Sequence, residues 1–262
     1  KISTPSDAHQ LQQDLNALAM WEETWLMKFH PAKCNTLRIT RSKSPILFQY
    51  KLRNHPLETV DQAKYLGVTI ASDLSWTNHI NNISAKANRS LGLIRRNLKK
   101  APLETKSLAY KALVRPNLEY CASIWNPHYK KDIYQLEMIQ RRAARFATNR
   151  YNNTSSVSDM LRALNLSSLE TRRTYISLCM MYKIVNNLVA IPPSNYLTPK
   201  PRPTRNCHPY SYLQFHTSRD CFKYSFFPHT VQAWNRLPES IVTAPSLAGF
   251  QHRLQAYQAF PH

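Results

Sequence analysis

Apolar side chains recur every three to four residues along several stretches of the chain, which is the spacing of one face of an α-helix. The clearest stretch runs from Asp73 to Ala101, where one stripe contains Ile80, Ile83, Ala87, Leu91, Ile94 and Leu98. The same spacing predicts a helix over 6–27, with Ser6 or Asp7 as its N-cap. Residues 103–125 form a further predicted helix, interrupted or kinked at Pro116.

Three more helices, besides a short one around MLRAL, are predicted in the second half of the chain. Within 131–150 one face contains Leu136, Ile139, Ala143, Phe146 and Ala147. Residues 167–189 begin with the capping-box pattern Ser167-x-x-Glu170, and the last helix follows an N-cap at Ser246. These segments indicate a chain that is mainly helical.

Short strands are expected only near the beginning of the chain. The segments CNTLRITRS, SPILFQYKL and LETVDQAKYLGVTIA are apolar, rich in β-formers and bounded by turn residues. Gly67 lies in the third of these, where a strand needs a bulge or a close backbone approach. The predicted fold class is therefore α+β, mainly α, with a small β-containing part at 1–72, a helical part at 73–130 and an α-rich domain at 131–262. A proline-rich, extended connector is expected near 191–209.

The net charge of the chain indicates what kind of partner it binds. The chain has 35 Lys+Arg against 15 Asp+Glu, a formal net charge of +20. The excess is small in 1–72 and large in both later parts, unlike a basic tail. Such a surface favours a polyanion, because phosphate contacts release counterions. Nucleic acid is preferred over an anionic membrane, which usually attracts a basic helix with a strongly apolar opposite face.

Cysteine usage and the ends of the chain bear on location. The five cysteines are odd in number and mostly far apart, which argues against a disulfide framework and for a reducing compartment. No apolar run approaches the roughly 18 residues of a membrane span. The N-terminus KISTPSDAHQ has no initiator Met and no signal-peptide pattern. We expect an intracellular protein, nuclear or cytoplasmic, without a membrane partner, and a sequence cut from a longer chain.

The strongest candidate interface is the polar side of the 73–101 helix. It carries six cations, and no acid occurs between Leu74 and Ala101. A basic helix face is usually only solvated, but six cations without an acid favour phosphate contact, which positions a duplex without reading its sequence. These candidate residues are Lys86, Arg89, Arg95, Arg96, Lys99 and Lys100.

A second candidate is the arginine group of the 131–150 helix. Arg141, Arg142 and Arg145 lie within one turn of each other, opposite the apolar face. Glu137, four residues before Arg141, and Asp132 are the acids that could pair with them locally. Nucleic-acid contact, a solvated helix face, and packing against another domain of a longer protein all remain open for this group.

One group of metal-ligand residue types occurs, at Cys207, His208, His216 and Cys221. Its spacing lacks the C-x₂-C pair that zinc sites normally use, so a core cysteine with surface histidines is the preferred interpretation. No metal and no cofactor is expected for this chain.

Several blocks, in one order, resemble the C-terminal part of non-LTR (LINE-type) retrotransposon reverse transcriptases. They are MKFHPAKC, KYLGVTIASDLSWTNHI, LVRPNLEYCASIW, IQRRAARF and SFFPHTVQAWNRLP, and together they span essentially the whole chain. The resemblance implies the end of a palm with a lysine at Lys33, and a primer grip at Tyr65, Leu66 and Gly67. It also implies a helical thumb that holds template–primer, followed by a C-terminal region of poorly defined role. Tyr65 is equally compatible with a core position.

The chemistry of such polymerases requires clustered aspartates that hold two metal ions. This chain has no Asp-Asp pair, and its seven aspartates are isolated. The resemblance implies that the paired aspartates precede Lys1, so Mg²⁺ is expected only for the intact polymerase and the chain alone is expected to be inactive. The expected partners are RNA or an RNA–DNA duplex and the palm and fingers of the intact protein. The alternative is a decayed or domesticated fragment that acts as a protein-interaction module or has no function.

Overall fold

A computed structural model describes residues 1–152, 154–201 and 208–259 of the chain. The chain divides into two compact units, Lys1–His79 and Ile80–His262. Long helices and three small two-stranded sheets make up the described residues, which confirms the predicted α+β, mainly α fold class. The functional division at 72 and 130 stays a prediction.

The first unit begins with helix α1 (Pro5–Trp25). Its N-cap is Thr4, not the predicted Ser6 or Asp7. The Thr4 hydroxyl accepts a hydrogen bond from the Asp7 N–H at 3.2 Å, and the Asp7 carboxylate accepts one from the Thr4 N–H at 2.8 Å. This reciprocal pair satisfies two N–H groups that would otherwise lack partners, and Pro5 needs none at the first helical position.

Six short strands follow in this unit. They are β1 (Asn35–Leu37), β2 (Lys51–Leu52), β3 (His55–Pro56), β4 (Glu58–Val60), β5 (Gln62–Tyr65) and β6 (Val68–Ala71). β1 pairs in parallel with β4, whereas β2 with β3 and β5 with β6 are antiparallel. A small core of Ala8, Tyr50, Leu52 and Leu57 joins α1 to this region.

The glycine of the YLG triplet has a different role from the one predicted. Tyr65 pairs with Val68, so Leu66 and Gly67 form a two-residue hairpin turn instead of a bulge within a strand. Both turn residues have positive φ, 46° for Leu66 and 87° for Gly67. This conformation is that of a type I′ turn, which matches the twist of the flanking strands and favours glycine.

Helix α2 (Thr77–Asn97) confirms the long amphipathic helix. Ile80, Ala87, Leu91 and Ile94 of the predicted stripe are buried. The helix begins within the first unit and continues into the second.

The rest of the second unit is helical. Its helices are α3 (Leu103–Ala109), α4 (Arg115–Glu119), α5 (Ala122–Trp125), α6 (Lys130–Thr148), α7 (Val157–Ala163), α8 (Leu169–Val185), α9 (Asp220–Lys223), α10 (Phe226–Trp234), α11 (Glu239–Val242) and α12 (Leu247–Ala259). The described part of the expected connector contains a 3₁₀ turn at Pro193–Asn195. None of the helices in the described ranges is both long and apolar enough to cross a bilayer.

The predicted interruption at Pro116 takes the form of a π-helical turn. α3 continues into this turn over Tyr110–Val114, and α4 then begins at Arg115. Pro116 thus lies in the first turn of α4, directly after the π-helical turn. The wider turn allows the chain to pass the proline without breaking into a loop.

The C-terminal helices surround one apolar core. Met181 of α8, Trp234 of α10 and Phe250 of α12 are each at most 1% exposed, and the rings of Trp234 and Phe250 are stacked. The N-cap of α8 is Ser168, one residue after the predicted Ser167, because the Ser168 hydroxyl accepts from the Thr171 N–H at 3.0 Å. Ser246 caps α12 as predicted.

Asparagine ends or follows three of these helices in the left-handed conformation. Asn149 after α6, Asn165 after α7 and Asn187 after α8 have φ values of 54°, 50° and 54°. After glycine, asparagine is the residue that adopts this conformation most readily at helix ends.

Candidate nucleic-acid interface

The polar side of α2 and the turn that follows it carry the six candidate cations, which we call the α2 cations. All six predicted side chains, Lys86, Arg89, Arg95, Arg96, Lys99 and Lys100, are exposed. At about 100° per residue, Lys86, Arg89 and Arg96 form an outer row on α2, and Arg95 lies to one side of it. The outer row extends about 15 Å along the helix at 1.5 Å per residue. Lys99 and Lys100 lie in the turn that follows the helix.

No carboxylate of the described residues forms an ion pair with these cations. The four ion pairs found among the described residues involve Glu22, Glu119 or Asp159, and none of them includes a side chain of the six. Glu119 is held by Arg115 and by Arg172, whose Nη2 donates to Glu119 Oε2 at 2.9 Å. The ion pairs of the described residues thus leave the α2 cations available to an external anion.

Helix α6 lies beside α2 and runs in the same direction. Gln135 Nε2 donates to Asn81 Oδ1 at 3.0 Å, and Arg142 Nη1 donates to Asn88 Oδ1 at 3.2 Å. Both contacts join residues that are seven apart on each helix, so the helices are parallel. Their C-terminal ends consequently lie at the same end of the unit.

The structure distributes the three arginines of α6 over different surroundings. Arg141 and Arg142 are exposed, whereas Arg145 is half-buried. Arg142 lies on the side of α6 that faces α2. Glu137 does not pair with Arg141, because its Oε1 accepts a hydrogen bond from the Glu170 N–H at 3.0 Å. Burial raises the pKa of Glu137.

The ends of α2 and α6 enclose a groove of about 620 Å³, which we call the α2–α6 groove. One wall is formed by α2 and the other by the end of α6 with the residues that follow it. Its lining residues are Gly92, Arg95, Arg96, Lys99, Phe146, Asn149 and Tyr151. Three of the six α2 cations thus face the groove, and its described lining contains no acid.

A further cation lies under this groove. Lys106 of α3 is 1% exposed, its Nζ donates to Asn149 Oδ1 at 2.9 Å, and it lies 5.0 Å from the centre of the Phe146 ring. These two partners are an amide oxygen and an aromatic ring, neither of which carries a negative charge. Lys106 therefore adds positive electrostatic potential to the groove from beneath its Phe146 and Asn149 lining.

Two helix C-termini at one place work against anion binding. Each contributes roughly half a negative charge, about one elementary charge in total. Arg95, Arg96, Lys99, Lys100 and Lys106 supply five positive charges at the same end. The cations outweigh the helix dipoles, so the groove attracts anions.

The other positions implied by the family resemblance lie in the first unit. Tyr65 and Leu66 are 66% and 73% exposed at the β5–β6 turn, so Tyr65 is not a core residue. Gly67 is also exposed, and Lys33 is exposed at the end of a short 3₁₀ turn, Pro31–Lys33. Their contact with a primer or a triphosphate stays a prediction.

The Cys/His group forms no metal site within the described residues. Cys207 lies outside them, and His208 is buried with its Nε2 3.1 Å from the Trp234 carbonyl oxygen. No set of three or more His, Cys, Asp or Glu side chains in the described ranges is placed to hold a metal.

Sequence patterns did not indicate the groove. Gly92 was only a gap in the polar side of α2, and Lys106 belonged to an ordinary helix surface. Asn149 and Tyr151 follow α6 in a segment that carries no charge pattern of its own. The polar contacts that bring α6 beside α2 join residues 54 positions apart, and no sequence pattern marked them.

Three curated proteins of Drosophila melanogaster are similar to the chain. It is 29% identical over 149 residues to the probable RNA-directed DNA polymerase from transposon BS, a match that covers 54% of the chain and 16% of that protein. It is 27% identical over 135 residues to the probable RNA-directed DNA polymerase from transposon X-element, covering 49% and 14%. It is 29% identical over 144 residues to the RNA-directed DNA polymerase from mobile element jockey, covering 52% and 15%.

These similarities confirm the resemblance to non-LTR retrotransposon reverse transcriptases. The matched segments span only about a sixth of the length of these relatives. No protein-family model matches the chain, and no solved structure matches it significantly.

Proposed function

We propose that this chain is the part of a retrotransposon RNA-directed DNA polymerase that grips the nucleic acid. In this proposal the exposed cations of α2 contact phosphates of an RNA or RNA–DNA duplex. The similarity to three polymerases supports the assignment to nucleic acid. The observation that carries it is the unneutralised basic side of α2, with six exposed cations and no ion pair to any of them among the described residues.

The geometry suits contacts that do not read sequence. The outer row lies along a rigid helix, whose opposite face is anchored by buried Ile80, Ala87, Leu91 and Ile94. Lysine and arginine side chains at such spacing reach successive phosphates and fix the register of a duplex. A polymerase that copies any template needs this sequence-tolerant hold.

We assign the nucleotidyl transfer itself to a longer protein. Two-metal chemistry needs clustered carboxylates, and the seven aspartates of this chain are separated in sequence. The described residues bring no three metal-ligand side chains together. The chain would thus hold a substrate on which residues of the longer protein act.

A salt titration of binding tests the proposal. Affinity for an RNA–DNA duplex, measured by filter binding, should fall with salt because phosphate contacts release counterions. Six phosphate contacts predict a log–log slope of about −5, from roughly −0.9 for each contact. A slope near zero, or no binding at low salt, would contradict the proposal and favour a fragment that acts only in protein interactions or has no function.

Charge reversal tests the site. The variant Arg95→Glu/Arg96→Glu/Lys99→Glu/Lys100→Glu should lower duplex affinity by about a hundredfold or more, since several contacts become repulsive. A matched control reverses four exposed lysines elsewhere, Lys28, Lys43, Lys130 and Lys131. Each reversal changes the formal charge by two, so both variants fall from +20 to +12. Equal losses in the two variants would show that net charge, and not the α2 side, determines binding.

A further inference from the structure

We propose that the α2–α6 groove holds one unpaired nucleotide of a nucleic-acid strand, with the base between Tyr151 and the wall of α2 and its phosphates on Arg95 and Lys99. This inference rests on the proposed function, because it requires that the chain bind nucleic acid. It goes further by separating two surfaces. The outer row of α2 would contact a duplex, and the groove would accept a base that is free of pairing.

Gly92 is the first observation that supports a built groove. Glycine inside a helix costs about 1 kcal/mol relative to alanine, so α2 is weakened at this position. Packing does not require it, because a Cβ at Gly92 would lie 3.6 Å from Arg96 Nη1, an ordinary contact distance. What the missing side chain provides is an open wall in the groove.

The flat groups around the groove are the second observation. Tyr151 is 52% exposed and lines the groove, so a ring face is accessible to a ligand. The planar guanidinium of Arg96 lies by the Gly92 wall. Stacking between aromatic rings, arginine planes and bases is the usual way to hold unpaired nucleotides, because every base has a π face. A duplex hides these faces within its own stack.

The polar groups complete the recognition. Arg95 and Lys99 are exposed at the rim, where they can reach the phosphates on either side of the base. Lys106 holds the carbonyl oxygen of Asn149, which leaves the Asn149 amide N–H₂ as a donor for the edge of a base. The size agrees, since about 620 Å³ lies within the range of about 300–1,000 Å³ of small-ligand sites.

A charge-neutral block of the groove is the most direct test. Gly92→Leu should fill the groove, keep every cation and favour the helix, since leucine is a better helix former than glycine. We expect its affinity for a single-stranded RNA 12-mer to fall by about fivefold to tenfold, because stacking of one base is lost. Its affinity for a blunt RNA–DNA duplex should fall less, because all six cations keep their charge and only Arg96 of the outer row adjoins the new side chain. Gly92→Ala is the matched control, with a change below twofold on both ligands.

The role of the Tyr151 ring is tested with a strand that lacks one base. A 12-mer with a central abasic site should bind the wild-type chain several-fold more weakly than the intact strand, and Tyr151→Ala should remove this difference. Tyr151→Phe should retain it. Tyr134→Ala is the control, because Tyr134 is a 61% exposed tyrosine near the other end of α6.

The outcomes separate the two proposals. If wild-type chain binds neither strand nor duplex, the proposed function fails. If both ligands bind but Gly92→Leu changes them equally or not at all, the groove proposal is overturned and the function stands. Inorganic polyphosphate of matched charge that competes as well as the 12-mer would likewise overturn it, since the groove would then recognise charge without a base.

Discussion

His79 illustrates how one buried side chain makes the first unit sensitive to acid. Its exposed fraction is 2%, and its Nδ1 accepts a hydrogen bond from the Thr69 N–H at 3.2 Å. Burial lowers the pKa of His79 because desolvation penalises the imidazolium. A proton on Nδ1 would also remove the acceptor for Thr69.

The sign of the pH effect follows from these pKa values. The folded-state pKa of His79 lies below its unfolded value of about 6.5. As the pH falls, the unfolded chain therefore binds a proton before the folded chain does. The contribution to stability is complete above about pH 6.5 and decreases as the pH falls from there towards the folded-state pKa.

We predict that the opening free energy of the Thr69 amide, from hydrogen exchange, falls between pH 7.5 and pH 5.5. His79→Asn should flatten this dependence, because its Oδ1 can accept the same hydrogen bond and does not titrate in this range. An equally steep dependence in His79→Asn would assign the effect to other groups.

Residue-level sequence prediction located the N-cap of α12 at Ser246 but missed those of α1 and α8. Ser6, Asp7, Ser167 and their neighbours are all good N-caps, and local pattern cannot choose among adjacent candidates. Tertiary contacts decide, as where the N–H of Glu170 is taken by Glu137 and Ser168 becomes the cap.

Tyr110 connects three elements through one buried chain of hydrogen bonds. It lies in the π-helical turn between α3 and α4, and its hydroxyl donates to Gln140 Oε1 of α6 at 2.9 Å. Gln140 Nε2 donates in turn to the Ser167 carbonyl, just before α8, at 2.9 Å. Burial raises the pKa of Tyr110, so its hydroxyl keeps the proton it donates.

We predict that Tyr110→Phe lowers the free energy of unfolding by about 1–3 kcal/mol, because the buried Gln140 Oε1 atom loses its hydrogen-bond donor. Urea unfolding followed by circular dichroism measures this. Tyr134→Phe, at an exposed tyrosine of α6, should change it by less than about 0.5 kcal/mol. Similar values for the two variants would show that water replaces the lost donor.

At the scale of elements, the helices were predictable and the sheets were not. The 3.6-residue spacing located α2 and α6, because one face of each is buried and the rest is polar. Apolar runs rich in β-formers predicted strands near 34–71 but could not show that β1 pairs in parallel with β4 across some twenty residues. The absence of acids from the α2 sequence indicated that its cations have no partner on their own helix. The groove depended on how α6 lies beside α2, and no local pattern encodes that.

The whole molecule carries a formal net charge of +20, which has opposite effects on folding and on binding. Like charges repel one another in the compact state and less so in the expanded unfolded chain. Salt screens this repulsion, since the Debye length falls from about 30 Å at 0.01 M to about 10 Å at 0.1 M.

We predict that the urea midpoint of unfolding rises as NaCl increases from 0.01 to 0.1 M, while duplex affinity falls over the same range. Urea titrations at fixed salt concentrations measure the first effect. The +12 control variant with reversed Lys28, Lys43, Lys130 and Lys131 should show a smaller rise. A midpoint that falls with salt would mean that local ion pairs outweigh the net repulsion.

The asparagines that follow α6, α7 and α8 have a consequence for the chain before it folds. Only three glycines occur among 262 residues, against 17 prolines. Asn149, Asn165 and Asn187 fill left-handed positions where glycine would be less strained. An unfolded chain with few glycines and many prolines has fewer backbone conformations available, so folding forfeits less entropy. The strain accepted at three helix ends is thus offset by a stiffer denatured ensemble.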